Sequence, residues 1–431
     1  MRKVITYGTY DLLHYGHIRL LKRAKALGDY LIVGVTADGF DRARGKINVQ
    51  QSLMERIEAV KATGLADEII VEEYEGQKID DIKRYDISVF TVGSDWVGHF
   101  DYLREYCEVV YLDRTEGVSS SELRSENHSL KLILIGDEKG FLKKLDNESK
   151  YVNGIETIGI YPSDGDFEAI IKTADAIFLN TKPQDHYEQI KKALLCKKHV
   201  LCDSPISTTV KEWIELIDLA KSQNCILMDA NRTAYAMAYY RLLLLVKSGV
   251  VGDVVSIDAS CTTLRDVNLD KSEYKKVWNS FCAWGPTALL PIFQLLGVNY
   301  KEKQIISHIL DEESMYDSFS KIAFIYPSAV ASIKVGKGVK TEGELVISGT
   351  EGYVYVPAPW WKTDYFEIRR EDPTQNKRYY YQLEGEGFRH LLLSFLKSIK
   401  EGDKFSYISH DVSKEFVRLT EDFYSNHIVR I

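Results

Sequence analysis

The sequence predicts an α/β protein built as two doubly wound parallel sheets in succession, the second running on into an α+β region with an open, mainly antiparallel sheet. Three observations predict it. Short β-branched runs alternate with helical stretches up to about residue 126; the alternation restarts at 130 and continues to about 233; beyond 235, strand patterns follow one another with few helices between. The first stretch reads as strands over 4–7, 30–35, 68–71, 89–92 and 109–112, with helices over 16–27, 53–63 and 78–85. The polar run Ser125-Glu126-Asn127-His128-Ser129 separates it from the next strand. The second stretch reads as strands over 132–135, 157–160, 176–179, 199–202 and 226–228 with helices between. The third has a helix over 236–248, then strands over 254–261, 323–325, 331–335, 344–348, 353–356 and 366–370, then helices over 388–400 and 412–423. Domains are accordingly expected at 1–126, 130–233 and 234–431.

Composition bounds the function. At 431 residues, against about 100–200 per domain, the chain holds two to three domains. Lys plus Arg is 55 and Asp plus Glu 63, a balance of −8 that argues against a general nucleic-acid binder. Six scattered cysteines show no C-x-x-C and no zinc spacing, so they read as buried thiols in a reducing cytosol. The chain opens Met-Arg-Lys and enters a strand pattern, with no apolar run and cleavage site. Its most apolar helical stretch, Leu242 to Val246, is far too short to span a bilayer. The expectation is a soluble cytoplasmic protein without membrane insertion.

Two motifs carry chemistry. Gly8-Thr9-Tyr10-Asp11-Leu12-Leu13-His14-Tyr15-Gly16-His17 lies where the first strand ends and the first helix begins. An open parallel sheet binds ligands there, and the free amides of a helix start cradle phosphate. His14 and His17, three apart, can face one pocket and donate to phosphoryl oxygens whose charge grows during displacement. Taken alone, the pair reads equally as polar residues of a surface turn. The second motif, Arg114-Thr115-Glu116-Gly117-Val118-Ser119-Ser120-Ser121, follows the last strand of the same unit. An Arg, a Gly turn and hydroxyls leading into a helix make a second phosphate loop; the serines also suit a helix cap.

With Val4–His17, Leu20–Tyr30, Gly93-Ser94-Asp95-Trp96-Val97-Gly98, Phe100-Asp101, Cys107–Leu112 and Arg114–Ser119 in view, residues 1–126 closely resemble the bacterial glycerol-3-phosphate cytidylyltransferases of the nucleotidylyltransferase superfamily. The resemblance implies a Rossmann-like nucleotidylyltransferase domain that transfers CMP from CTP to an alcohol phosphate, with Mg²⁺ and release of pyrophosphate. Glycerol 3-phosphate is the leading acceptor, and a cell-surface or teichoic-acid-like polymer the destination. Carried over by position, Thr9, Tyr10, His14, Tyr15, Gly16, His17, Lys46, Asp95, Arg114, Thr115, Glu116, Gly117, Val118, Ser119, Ser120 and Ser121 bind CTP. Among these, His14, His17, Lys46 and Arg114 are catalytic. Arg44 and Lys78 face the acceptor phosphate, and no metal ligand is assigned. The sequence departs from the family pattern at Gly64, where relatives have Arg, and at Ser94, His99 and Arg44, which replace Asp, Lys and Lys. One residue is inserted between Lys46 and Arg56.

Residues 130–431 resemble, more weakly, the glucose–fructose oxidoreductase/inositol dehydrogenase (Gfo/Idh/MocA) family. The carrying stretches are His199–Ile206, Met228–Arg232, Tyr239–Ile257 and Trp284-Gly285-Pro286 running into Leu289–Gly297. The resemblance implies an NAD(P)-binding Rossmann-type domain, a sheet-rich substrate domain and a homo-oligomer, a dimer at its simplest, formed on the open sheet. The chemistry residues are replaced. The family's Lys is Ser204, its Asp and His align with Ala283 and Thr287, and the glycine-rich turn reads Gly136-Asp137-Glu138-Lys139-Gly140. Acid in that turn opposes a pyrophosphate, and hydride transfer needs a proton donor in reach. Tyr235 and His308 are the candidates for a replacement acid. The sequence thus predicts a cytidylyltransferase with a non-catalytic second unit. The alternative is a bifunctional cytidylyltransferase and NAD(P)-dependent oxidoreductase acting on another polyol or sugar phosphate.

Overall fold

The computed structural model describes residues 1–431 except 14, 38–48, 50, 75, 114–128, 153, 266–272, 382–384 and 403–404, and the side chains of Asp95 and Lys276. The chain divides into two compact units, Met1–Ser129 and Leu130–Ile431.

In the first unit the apolar runs form five parallel strands: β1 (Lys3–Gly8), β2 (Tyr30–Thr36), β3 (Glu68–Glu72), β4 (Val89–Gly93) and β5 (Glu108–Leu112), in the order β3-β2-β1-β4-β5. Central strands bury both faces, so Leu31, Ile32, Val33 and Val35 are all fully buried. Alternation sorts them between two cores. Ile5, Tyr7, Ile32 and Phe90 face one side, and Val4, Leu31, Val33 and Val89 the other. Chain order reverses between β1 and β4, which opens a crevice at their carboxyl ends. The helix Leu53–Ala62 starts with a capping box, Ser52 and Glu55 satisfying one another's backbone N–H groups.

The second unit opens with β6 (Leu130–Gly136), β7 (Ile155–Tyr161), β8 (Ala176–Asn180), β9 (His199–Cys202) and β10 (Leu227–Asp229), all parallel, in the order β10-β9-β8-β6-β7. Nine further strands make one open sheet: β11 (Val254–Thr262), β12 (Glu302–Asp311), β13 (Tyr316–Ile325), β14 (Val330–Gly336), β15 (Leu345–Gly349), β16 (Gly352–Val356), β17 (Tyr365–Arg369), β18 (Lys377–Tyr380) and β19 (Val429–Arg430). Only β11–β14 and β12–β19 run parallel in it, so the sheet is mainly antiparallel, as its alternating pattern predicts.

A border at 233 separates the two sheets but not two cores. Leu132, Leu134 and Phe178 of the parallel sheet share one apolar cluster with Ile257, Ile322, Ile333 and Ile347 of the open sheet. Between them lies a helix, Ser280–Leu296, that the sequence reading did not predict, because Pro286 and Pro291 fall inside it. Two interior prolines are tolerated where burial compensates. Phe281, Cys282, Ala288, Leu289, Leu290, Ile292 and Phe293 of that helix are all buried.

The thiols follow expectation in part. Cys202, Cys225, Cys261 and Cys282 are buried, Cys107 is half-buried and Cys196 is exposed, all free. No helix among the described residues is long and apolar enough to cross a membrane.

Candidate functional site

β1 ends at Gly8, and the loop that follows is held in strained form: Tyr10 and Leu12 take left-handed φ of 54° and 47°. A Cβ at Gly8 would lie 3.0 Å from the Tyr10 ring, so only glycine gives that ring its room. Arg56 fixes the loop from below. Fully buried on the helix Leu53–Ala62, it donates from Nη1 to the carbonyls of Thr9 (2.7 Å) and Thr36 (2.8 Å), and from Nε to that of Gln51 (3.2 Å). Gln51 ties the same loop twice: its N–H donates to Asp11 Oδ1 and its side-chain oxygen accepts from Leu12 N–H. The carboxyl ends of β1 and β2 are therefore clamped together by one guanidinium. Sequence reasoning missed this role, although the spacing Leu53, Arg56, Ile57, Val60 puts Arg56 on the helix's apolar face.

The sequence-assigned residues fall as follows. Thr9 and Gly8 line a recess of about 70 Å³ with Tyr7, Thr36, Glu72, Lys78, Phe90, Val92, Trp96 and Phe100. Lys78 is nearly buried there and ion-pairs with Glu72, whose other oxygen accepts from Thr36 Oγ1 at 2.9 Å. Its ammonium also lies 4.7 Å from the centre of the Tyr7 ring. Burial, then the Asp81 carboxylate that accepts from its hydroxyl at 2.8 Å, pushes the Tyr7 phenol well up, so it stays protonated. Tyr10 is buried with its ring edge-on to His17, centroids 5.6 Å apart. Tyr15, Gly16 and His17 open the helix Tyr15–Lys25, whose first turn carries no acidic residue and so offers an anion its free amides. His14, Arg44, Lys46, Arg114, Thr115, Glu116, Gly117, Val118, Ser119, Ser120 and Ser121 lie outside the described residues, as does the Asp95 side chain.

With that geometry in place, the comparisons decide the family. Residues 5–131 match the family model described as cytidylyltransferase-like. Over 130 residues the chain is 49% identical to a glycerol-3-phosphate cytidylyltransferase of Bacillus spizizenii, covering 30% of this chain and all of that one. It is 47% identical to one of Staphylococcus aureus, covering 29% of this chain and 95% of that one. Through its first unit, the chain belongs to the glycerol-3-phosphate cytidylyltransferase family. Thr9, Lys78 and Trp96 of this cytidylyltransferase unit share one recess, and Gly16 and His17 lie in the first turn of the helix that follows β1.

A second unit follows the cytidylyltransferase unit. Its residues 140–230 match the model described as oxidoreductase family, NAD-binding Rossmann fold. A 3-ketoreductase from Actinomadura kijaniata, solved with NADP and TDP-benzene, superposes with a TM-score of 0.62 at 15% identity, covering 70% of this chain and 99% of that one; the likeness is one of fold. Ser204, Ala283 and Thr287 all line a cleft of about 540 Å³ in this unit, so the replaced positions do share one site. Neither Tyr235 nor His308 lines it; Tyr235 stacks on Tyr407 and His308 bonds Ser318.

The turn after β6 tests the cleft against a dinucleotide. Asp137 turns toward the end of β7, accepting from the Ser163 N–H (3.1 Å) and hydroxyl (2.7 Å). Glu138 stands at the N-cap of the helix Lys139–Ser149 and lines the cleft. A glutamate thus stands in the turn where a dinucleotide fold has bare glycine, its half-exposed carboxylate 3.8 Å from the Arg265 guanidinium. No acid ends β7 to hold a ribose. This turn does not reproduce the glycine-rich turn of a dinucleotide fold.

Proposed function

We propose that the first unit transfers CMP from CTP to glycerol 3-phosphate, yielding CDP-glycerol and pyrophosphate. The observation that carries this is the 47–49% identity along 95–100% of two bacterial enzymes of that name. An acceptor phosphate oxygen attacks the α-phosphorus of CTP; the new P–O bond forms as the bond to the bridging oxygen of the β-phosphate breaks, and pyrophosphate departs. His14 and His17 donate to the α-phosphoryl oxygens as charge builds on them. Lys46 and Arg114 neutralise the triphosphate. Thr9, Tyr10, Tyr15, Gly16, Asp95 and the loop Thr115, Glu116, Gly117, Val118, Ser119, Ser120, Ser121 surround the nucleotide. Arg44 and Lys78 receive the acceptor phosphate, for which Lys78 exchanges Glu72. Among the described residues no three His, Cys, Asp or Glu gather to hold a metal; Mg²⁺ enters as MgCTP, the substrate. The product suits an activated precursor for teichoic-acid-like or capsular polymers, made in the cytoplasm by a homodimer.

The second unit is proposed to perform no hydride transfer, because Ser204, Ala283 and Thr287 stand where the family resemblance puts the Lys, Asp and His of a dehydrogenase, and all three line its cleft. The test of function is a CTP-dependent pyrophosphate-release screen over glycerol 3-phosphate, ribitol 5-phosphate and phosphoethanolamine with the full chain. Glycerol 3-phosphate should give the highest kcat/KM. A clear preference for either other acceptor would replace the substrate named here.

A further inference from the structure

The cleft of the second unit holds a charge arrangement that nucleotidyl transfer does not use. Five lining side chains are cationic (Lys144, Arg232, Arg265, Lys337, Lys362) against three carboxyls (Glu138, Asp203, Glu386), in a chain whose net charge is −8. Arg265 lies 3.8 Å from Glu138, and Lys337 donates to the Trp278 carbonyl at 2.7 Å. The other three cations converge on one carboxylate: Lys144, Arg232 and Lys362 all pair with Glu386. The Arg232 guanidinium also lies over the rings of Phe388 and Phe141, 4.9 and 5.5 Å from their centres, which fixes it independently of its anion.

Glu386 reaches this cluster from strained backbone. Gly385, Glu386 and Gly387 have successive φ of 64°, 46° and 88°, which glycine adopts freely and glutamate does not. A Cβ on Gly387 would come within 2.3 Å of the Arg232 carbonyl oxygen. The backbone is thus seated against Arg232, with the Glu386 side chain held, among the described residues, only by its three cations.

An independent observation concerns polar atoms. Asn180, Asn231 and Thr263 line the same cleft, and Asn180 Oδ1, Asn231 Nδ2 and Thr263 Oγ1 are buried without a hydrogen-bond partner among the described residues. Folded proteins leave few such atoms unpaired. Trp284 and Trp361, centroids 5.0 Å apart, give the cleft an aromatic wall.

We propose that this cleft binds a phosphomonoester of a polyhydroxy compound, whose phosphate displaces the Glu386 carboxylate from Lys144, Arg232 and Lys362. A dianion gains more from three cations than a monocarboxylate does. The asparagines and Thr263 offer donors and acceptors to hydroxyls, and the indole faces offer apolar contact to the carbon chain. Glu386 is then an internal occupant that keeps the cations paired until the phosphate arrives.

Hydrogen–deuterium exchange of the full chain locates binding, separating this cleft from the first unit. Glycerol 3-phosphate and ribitol 5-phosphate are compared with inorganic phosphate, the unphosphorylated polyols and NADPH. The phosphomonoesters should slow exchange in peptides spanning 139–149, 228–236 and 385–391, and the polyols should not. Lys144→Ala with Arg232→Ala should weaken binding at this cleft about tenfold or more, the scale of one lost charge-assisted contact. Glu386→Gln should tighten it several-fold, and pyrophosphate release should stay unchanged in these variants. No slowing at saturating phosphomonoester overturns the proposal, and wild-type protein decides this even if the variants misfold. Equal or weaker binding by Glu386→Gln, equal protection by inorganic phosphate, or protection of these peptides by micromolar NADPH also overturns it.

Discussion

His14 and His17, three apart in sequence, are proposed to donate together to a growing charge, and a pair of donors preorganised for it is worth a large factor in rate. His14→Ala and His17→Ala should each lower kcat by about 10²-fold or more; turnover near wild type in both would remove them from the mechanism. Arg56 makes a different prediction, because it touches carbonyls and not substrate. Arg56→Ala leaves the buried carbonyl of Thr36 and the half-buried ones of Thr9 and Gln51 without this donor, a loss of about 2–3 kcal/mol in chemical denaturation of the first unit. An unchanged midpoint would contradict the clamp. The proposed phosphate-binding residues were picked out as glycine, histidine and serine clusters at strand ends, and most of them fall outside the described residues. Arg56 was legible only through its helical spacing, and its three carbonyl partners come from segments that sequence does not bring together. In the second unit, burial first pushes Asp203 up to about 7 and Asp229 up to about 6; hydrogen bonds from Asn180 and Ser204 work against it. Both lie above the ordinary carboxyl value of about 3.9. Through these two groups the native state binds more protons than the unfolded chain from about pH 4 to 7, and their contribution to stability falls as pH rises through that window. Asp203→Asn removes one of the two groups, so its unfolding midpoint should fall less than the wild type's between about pH 5 and pH 8. Parallel curves would show that Asp203 ionises normally.

β1, β2, β4 and their counterparts β6 and β8 were readable as near-continuous apolar runs, since parallel strands bury both faces. The helix Ser280–Leu296 was not readable, because two prolines signal a break that its burial overrides. Strand β12, Glu302–Asp311, carries Glu302, Lys303, Gln304 and His308 among its apolar residues, which hides its alternation. Gly136 shows what a strand position can demand: a Cβ there would lie 2.4 Å from the Asn180 carbonyl oxygen, where β6 and β8 meet. Gly136→Ala should force these strands apart and destabilise the second unit by about 1–3 kcal/mol, the usual cost of overpacking. A denaturation midpoint within error of wild type would mean that the strands yield freely.

The two units of the molecule carry different kinds of evidence. The first matches known cytidylyltransferases at 47–49% identity along 95–100% of their length. The second keeps a fold and a cleft while the positions that matter to a dehydrogenase hold Ser204, Ala283 and Thr287. Their boundary was legible because polarity rises over Ser125–Ser129 and a new strand follows. That one apolar cluster runs across 233 was not legible, because a core shared by two sheets appears only when side chains meet in space. One mixture tests the division of labour most directly: the full chain with CTP, glycerol 3-phosphate, Mg²⁺ and all four nicotinamide cofactors, followed by phosphorus NMR and nicotinamide absorbance together. CDP-glycerol and pyrophosphate should accumulate in equal amounts while the absorbance stays flat. Absence of either product, or a change in absorbance that needs the protein, would contradict a transferase joined to a redox-silent unit.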